Sequence, residues 1–459
     1  MIPMTLAEIA HAVTGRLDTV TDDQATVTAP TAFDSRHVEA GGLFAALGGN
    51  HVDGHDFASA AIEKGAVAVL ASRPTGTPAI IVDDVVTAMS DLAHAVSTRY
   101  TGRVLAITGS AGKTSTKDLL TQILVRHGSV VATERSFNNE IGFPHTVLRV
   151  KADTDFLVLE MGARGRGHIS HLAAIARPQI GAVLGIGSAH IGEFGNREAI
   201  AVAKRELVEA LDTTGIAVLN TDDPLVAAMA DHTRAQVLRF GTGPEADVRA
   251  TDITLDTSAR AQFTLRHRDD AAAVTLGVVG EHHLTNALAA AALALSAGVE
   301  FATVAEGLDG AGLVSGSRME VTERPDGVTV INDAFNASPE SVEAALRSLA
   351  TIAATVRPTV AVLGEMRELG DTASALHARI GRQVADLGIG TLITVGGHHA
   401  ELMATAARDA GSEQVTHVET KDQVLDLLNE GLRGDDVVLI KGANSAGLFE
   451  TAAALATGH

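Results

Sequence analysis

The eight residues Thr108-Gly109-Ser110-Ala111-Gly112-Lys113-Thr114-Ser115 carry the sharpest chemical signal in the chain. An apolar run from Val104 leads into them, and a helical stretch opens at Lys-Thr and continues to about Arg126. Such a loop turns backbone N–H groups and a helix N-terminus toward an anion, with Lys113 on β/γ-phosphate oxygens and Thr114 on Mg²⁺. The general phosphate-loop pattern asks for glycine where Ile107 stands. A plain strand–turn–helix corner therefore stays open as the alternative. Glu160 closes the apolar run from Phe156, and His190 follows Ile180–Ile186 within Gly187-Ser188-Ala189-His190. Ligands of open parallel sheets bind beyond the carboxyl ends of strands, so both side chains are expected near the bound phosphates as Mg²⁺ ligands. Singly, each has a bland reading, a helix-capping Glu or a hydrogen-bonded loop His. Their shared placement at strand ends favours the ligand reading.

The elements that must position these residues read as a three-domain α/β protein. Residues 1–102 alternate short apolar runs (Leu43–Leu47, Ala66–Leu70, Ala79–Val82) with helical segments such as Phe57–Lys64, a small α/β unit. Residues 103–314 show strands at Val104–Thr108, Phe156–Met161, Ile180–Ile186 and Ile216–Asn220 separated by helices, the pattern of a mostly parallel sheet. Ser315–Gly327, with Gly316, Pro325, Gly327 and several charges, reads as an interdomain hinge. In residues 315–459, strands at Val328–Asn332, Thr359–Leu363, Thr391–Val395 and Val437–Ile440 alternate with helices, a Rossmann-like unit without the dinucleotide glycine fingerprint.

Composition narrows the function. The 459 residues hold 35 Lys+Arg against 56 Asp+Glu, a formal charge of −21, which argues against a nucleic-acid or anionic-membrane partner. A phosphate ligand must then be held at a local, backbone-built site. Zero Cys removes disulfides, zinc-thiolate sites and a cysteine nucleophile, and fits a reducing compartment. Met1–Ala10 carries Glu8 and lacks a basic leader, and the apolar stretch Leu284–Ala297 is shorter than the roughly 20 residues of a membrane span. A cytoplasmic protein without membrane insertion is expected, and no heptad or long apolar surface helix calls for more than a monomer.

The short loop Thr108–Thr114 resembles that of the Mur ligases, the ATP-dependent amide-forming enzymes of peptidoglycan precursor synthesis. Further segments carry the likeness over nearly the whole chain: Asp34-Ser35-Arg36, Asp53-Gly54-His55-Asp56-Phe57, Asn138-Asn139-Glu140-Ile141-Gly142-Phe143-Pro144, Glu160-Met161-Gly162-Ala163-Arg164, Asn332-Asp333-Ala334-Phe335-Asn336-Ala337 and Gly364-Glu365-Met366-Arg367-Glu368-Leu369-Gly370. Within the family they are most similar to the branch that joins D-alanyl-D-alanine to UDP-N-acetylmuramoyl-tripeptide. The third-domain Asp-Asn-Pro-Arg of the diamino-acid-adding branch is absent.

The resemblance implies roles. The first domain would bind the UDP end of the substrate, the central one ATP, and the third would close over both. Gly109, Ser110, Ala111, Gly112, Lys113, Thr114 and Ser115 would hold ATP phosphates; Asn286, Arg318, Asp333 and Asn336 would complete the nucleotide site. Thr114 and Glu160 would hold one Mg²⁺ and His190 a second, with Lys204 at a position carbamylated in the family. Lys113, His190 and Lys204 form the expected catalytic set. Ser35, Arg36, Asp53 and His55 would bind the UDP end, and Thr133, Asn138 and Asn139 would line the path to the reacting carboxylate. Some positions depart from the family pattern: His283 stands for a usual Asn, Asn332 for an acidic residue, Phe335 for Tyr and Asn444 for Arg. His398-His399 reads as a solvated helix start rather than a metal site. A non-catalytic nucleotide-binding protein of the same fold is the competing class.

Overall fold

The computed structural model describes residues 1–49, 52–134, 137–353 and 357–457. Its strands assemble into three larger sheets in chain order, beside a ribbon of Met4–Thr5 with Thr26–Val27. The first sheet is ordered Arg16–Asp18, Ala79–Ile81, Ala68–Ala71, Leu43–Ala45, Thr31–Ala32, parallel except at Arg16–Asp18.

The nine-stranded second sheet places Arg103–Thr108 between Ile180–Val183 and Phe156–Glu160, all parallel. Successive crossovers leave Arg103–Thr108 on opposite sides, so the loop at Gly109 sits at a topological switch point, where open sheets take ligands. Register brings Glu160 beside Ile107 and Val183 beside Thr108. The chain following each of these strands therefore emerges at one sheet end.

Alternation along Arg103–Thr108 feeds two cores. Leu105 and Ile107 pack with Leu119, Leu120, Ile123 and the alanines of helix His283–Ser296. Val104 and Ala106 join a core that continues into the first sheet through Leu43, Leu70 and Ile80. Side chains with period two cover both faces, as a buried parallel strand requires. Ala287, Ala289–Ala292 and Ala294 are fully buried in helix His283–Ser296, and their small size lets it pack closely against helix Lys113–Leu124 and the sheet. No described helix is long and apolar enough to cross a membrane.

The structure adds to one expectation and corrects another. The second sheet is mostly parallel as expected, and Val248–Leu255, Arg260–His267 and Asp270–Val279 extend it at one edge as an antiparallel meander. Ala261, Phe263 and Leu265 point inward between polar neighbours, a period-two signal that the stronger crossover pattern masked. Ser315–Gly327 is not hinge throughout. Glu320–Glu323 is a strand paired antiparallel with Thr329–Asp333, which begins the third sheet. Connecting chain ends at Met319, where Ser317 and Met319 hold φ of +58° and +52° without being glycine. The remaining third-sheet strands run in the order Val437–Lys441, Thr359–Gly364, Thr391–Val395, Gln414–Val418, all parallel.

Candidate active site

Gly112 caps helix Lys113–Leu124 at φ +81°, and a Cβ there would overlap Asn286 Oδ1. Glycine is needed twice, for the left-handed backbone and for the close approach. Asn286 also accepts from Thr116 Oγ1 at 3.4 Å and meets His283 Nδ1 at 3.2 Å, so it braces the loop from below. Gly112→Ala is expected to cost about 1–2 kcal/mol from backbone strain alone. Nucleotide affinity should fall with it. A variant that melts and binds ADP as wild type does would contradict this role for Gly112.

Lys113 is half-buried and donates from Nζ to Gly109 O at 2.8 Å, a contact for which a phosphate oxygen would compete. Burial lowers its pKa, Glu160 opposes that shift, and Arg318 adds to it. Thr114 Oγ1 donates to Glu160 Oε2 at 3.1 Å. Glu160 is 1% exposed, and its Oε1 has no hydrogen-bond partner. Burial raises its pKa, against the pull of Lys117, Lys113 and Arg318. Ser110 Oγ is likewise buried without a partner. A hydroxyl, an orphaned carboxylate oxygen and cations around a phosphate loop are hard donors and counter-charges, so the residues present fit a magnesium nucleotide.

His190 and Lys204 join Lys113 around a cavity of about 340 Å³, also lined by Asn138, Asn139 and Arg164. Lys204 is 3% exposed, and no ion pair to it is found among the described residues. Burial, with the nearby Lys113 charge, drives its pKa well below the lysine range. Burial also lowers the pKa of His190, while Glu368, which pairs with Nδ1, opposes the shift.

Across the cleft, Arg318 stacks 4.1 Å above the Phe335 ring, among the charges of Glu160, Asp333 and Asp118. Phe335 thus supplies the face on which the guanidinium rests. Asp333 accepts from Lys441 Nζ at 2.6 Å and from Met319 N at 3.2 Å. Asn336 is exposed, turns its Oδ1 onto the next backbone N–H, and gives its own carbonyl to Lys441.

Sequence reasoning missed Lys441, 2% exposed, and the buried pair Lys117–Asp118 at 2.6 Å. Asp118 accepts from Val314 N and Ser315 N, fastening the connecting chain to the phosphate-loop helix. The available signal was a charged pair inside an otherwise apolar helix face. Removing one partner of a buried pair costs about 3–5 kcal/mol. Lys441→Met should accordingly lower the denaturation midpoint strongly, and adding Asp333→Asn should recover part of the loss. An unchanged midpoint in Lys441→Met would contradict the pairing.

The substrate candidates divide. Asn138 and Asn139 line the Lys113 cavity, whereas Thr133 is 1% exposed and accepts from Glu160 N at 3.1 Å. Thr133 thus supports Glu160, and it borders a second cleft of about 880 Å³ with Arg318, Phe335 and Asn444. Arg36 lines a third cavity of about 550 Å³ with Phe33, Phe137, His145 and Arg149, and forms a two-pronged pair with Asp34. Ser35 opens the short 3₁₀ turn that carries Arg36. Asp53 and His55 do not join that cavity. His55 Nδ1 meets Asp53 at 2.6 Å and Nε2 accepts from Ser72 N at 3.1 Å, so its ring braces the Asp53 turn. Asp53 also binds Arg73. His398 opens helix His398–Asp409 as an exposed residue.

Comparison with known proteins supplies a framework for this geometry. Residues 31–101 match the model described as "Mur ligase family, catalytic domain", 107–294 "Mur ligase middle domain" and 317–444 "Mur ligase, glutamate ligase domain". The chain is 45% identical to the UDP-N-acetylmuramoyl-tripeptide--D-alanyl-D-alanine ligase of Mycobacterium tuberculosis, with 99% of this chain and 98% of that one covered. Identity to the Escherichia coli ligase of the same name is 34%, covering 99% of each. Among solved structures, MurF from Acinetobacter baumannii superimposes with a TM-score of 0.87 at 29% identity, over 99% of each chain. MurF from Thermotoga maritima in complex with ADP gives 0.79 at 27%, over 94% of this chain and 98% of that one. The phosphate loop without its first glycine, the strand-end Glu160 and His190, and the full-length likeness have one explanation: the chain belongs to the Mur ligase family.

Proposed function

We propose that this protein is an ATP-dependent ligase that joins D-alanyl-D-alanine to UDP-N-acetylmuramoyl-tripeptide. The observation that carries the reading is the convergence of Lys113, His190 and Lys204 on one cavity beside the Thr114–Glu160 pair. The chain that presents them matches ligases of that name along its whole length. A free carboxylate does not acylate an amine, so ATP must activate it. The carboxylate oxygen attacks the γ-phosphorus and ADP leaves; the dipeptide nitrogen then attacks the acyl carbon, phosphate departs and the nitrogen loses a proton.

Phosphoryl transfer needs positioning and charge neutralisation above all. Lys113 would exchange its Gly109 contact for phosphate oxygens, with Ser110 Oγ donating beside it. Thr114 and Glu160 would hold one Mg²⁺, and His190 with a carbamylated Lys204 a second. Bound Mg²⁺ would neutralise phosphate charge and polarise the transferring group. Asn286 braces the loop on the base side, Asp333 is held by Lys441 for the ribose, and Arg318 approaches from the third domain. On this reading residues 1–102, 103–314 and 315–459 serve as the UDP-substrate, ATP and closing domains. Arg36 with the Phe33–Phe137–His145 aromatic group would receive the UDP end, and Asn138 and Asn139 the reacting end.

The test is a ligation panel crossing UDP-muramoyl-dipeptide and the Lys- and diaminopimelate-containing tripeptides with diamino acids and D-alanyl-D-alanine. ADP, phosphate and an amide product are expected only with a tripeptide and the dipeptide together. ADP release indifferent to D-alanyl-D-alanine, with no amide formed, would support the nucleotide-binding class instead.

A further inference from the structure

We propose that Glu368 is a positioning residue for His190, orienting its imidazole from the third domain. The proposal rests on reading His190 as a metal ligand. Glu368 lies in the loop after strand Thr359–Gly364, far in sequence from His190, yet its Oε2 pairs with His190 Nδ1. The loop that carries His190 is gripped at both ends by the same domain. Ser188 N donates to Glu340 Oε1 at 2.7 Å, and Gly192 N donates to Glu368 O at 3.0 Å. Gly192 and Gly370 pack backbone to backbone: a Cβ on Gly192 would lie 2.6 Å from Gly370 N.

Both partners meet at the cost of backbone strain. His190 has φ +62° and Glu368 φ +61°, in the left-handed region that non-glycine residues rarely occupy. Such conformations persist where the surroundings over-determine them, and they gather at functional sites. Here each strained residue is held by the other's domain.

The chemical consequence concerns the ring. A carboxylate accepts only, so with Glu368 Oε2 against it the neutral ring of His190 favours the proton on Nδ1, which leaves Nε2 its lone pair. That is the carboxylate–histidine arrangement that fixes tautomer and orientation in metal sites. The remainder of His190 faces the cavity it shares with Lys113 and Lys204. Docking of the third domain thus does more than exclude water: it sets the ring that is to receive the metal. Glu193 lies in the same cluster, its carboxylate within 4.8 Å of the other two ligand atoms, whereas the contact to Nδ1 of the ring is made by Glu368.

The test begins without metal. In ¹⁵N-histidine-labelled enzyme, with His190 assigned through His190→Gln, long-range ¹H–¹⁵N correlations should show the Nδ1–H tautomer. Glu368→Ala should shift the ring toward Nε2–H, while Glu368→Gln, whose amide oxygen still accepts, should retain most of the Nδ1–H form. Loading with Mn²⁺ and ADP should then give a histidine nitrogen coupling in pulsed EPR, absent in His190→Gln. Mn²⁺ affinity should fall about 10–100-fold in Glu368→Ala and less in Glu368→Gln. An Nε2–H tautomer in the wild-type enzyme, or an unchanged tautomer and Mn²⁺ affinity in Glu368→Ala, overturns the role of Glu368. Wild-type enzyme that binds Mn²⁺ with no histidine coupling overturns His190 as a ligand instead, and the ligation panel decides the reaction separately.

Discussion

Lys113→Ala is expected to slow ligation by about 10²–10³-fold, the cost of removing one preorganised charge from a transition state. Its thermal transition should stay close to that of the wild type. The two expectations have one cause. Burial disfavours the Lys113 ammonium in the resting protein, and its hydrogen bond goes to a neighbouring carbonyl, Gly109 O. Removing the side chain therefore deletes a charge that the fold holds unfavourably. With ATP bound the same ammonium meets phosphate oxygens whose charge shifts as the phosphoryl group transfers. Lys113→Arg should not restore the rate, because a planar guanidinium does not replace a compact ammonium in a close-fitting loop. Steady-state kinetics beside calorimetry separates the two effects. Loss of activity that tracks an equal loss of thermal stability would make Lys113 a structural residue.

Local geometry was legible in the sequence wherever one strand and the loop after it specify the outcome. Val104 to Thr114 folds as strand, loop and helix because the apolar run, Gly112 and the helix-opening Lys-Thr all point to the same conformation. Glu160 and His190 were found through a topological rule: chain leaving the carboxyl ends of neighbouring parallel strands comes together. The sheet order brings both beside the loop.

Long-range polar contacts were not legible in this way. Thr133 is expected to line the substrate path, yet its hydroxyl is buried and accepts from the backbone N–H of Glu160. His55 reads as a ligand, yet both ring nitrogens are engaged within the first domain. Glu368 and Lys441 act across long sequence separations, 108 residues in the case of Lys441, to His190 and Asp333 respectively. No periodicity encodes such pairs: Asp333 and Lys441 meet through the register of neighbouring parallel strands in the third sheet, and Glu368 meets His190 through how the second and third domains pack. The antiparallel meander escaped for another reason. Its period-two alternation, with Ala261, Phe263 and Leu265 inward and Arg260, Gln262 and Thr264 between them, is short and was masked by the stronger strand–helix crossover pattern.

Lys204→Ala is expected to lose about 10²–10³-fold in rate and to regain part of it when acetate or formate is added. Charge is the reason. An ammonium at this position would stand beside Lys113 and repel a cation at His190, and burial already drives the Lys204 pKa well below the lysine range. A neutral, buried amine is a nucleophile. Its Nζ lone pair can add to the carbon of CO₂, and loss of one proton leaves a carbamate anion. That reaction replaces a cation with an anion, turns the repulsion from Lys113 into attraction, and provides oxygen donors where Lys204 of helix Arg197–Glu209 otherwise offers only nitrogen. In Lys204→Ala, a small carboxylate can enter the vacated space and supply the same oxygens, which gives partial rescue; a long carboxylate should not. Wild-type enzyme equilibrated with ¹³CO₂ should show a carbamate carbon resonance that Lys204→Ala lacks. Absence of that resonance together with no rescue removes the carbamate. Lys204 would then remain a buried lysine whose place beside the phosphate loop must be explained by packing alone.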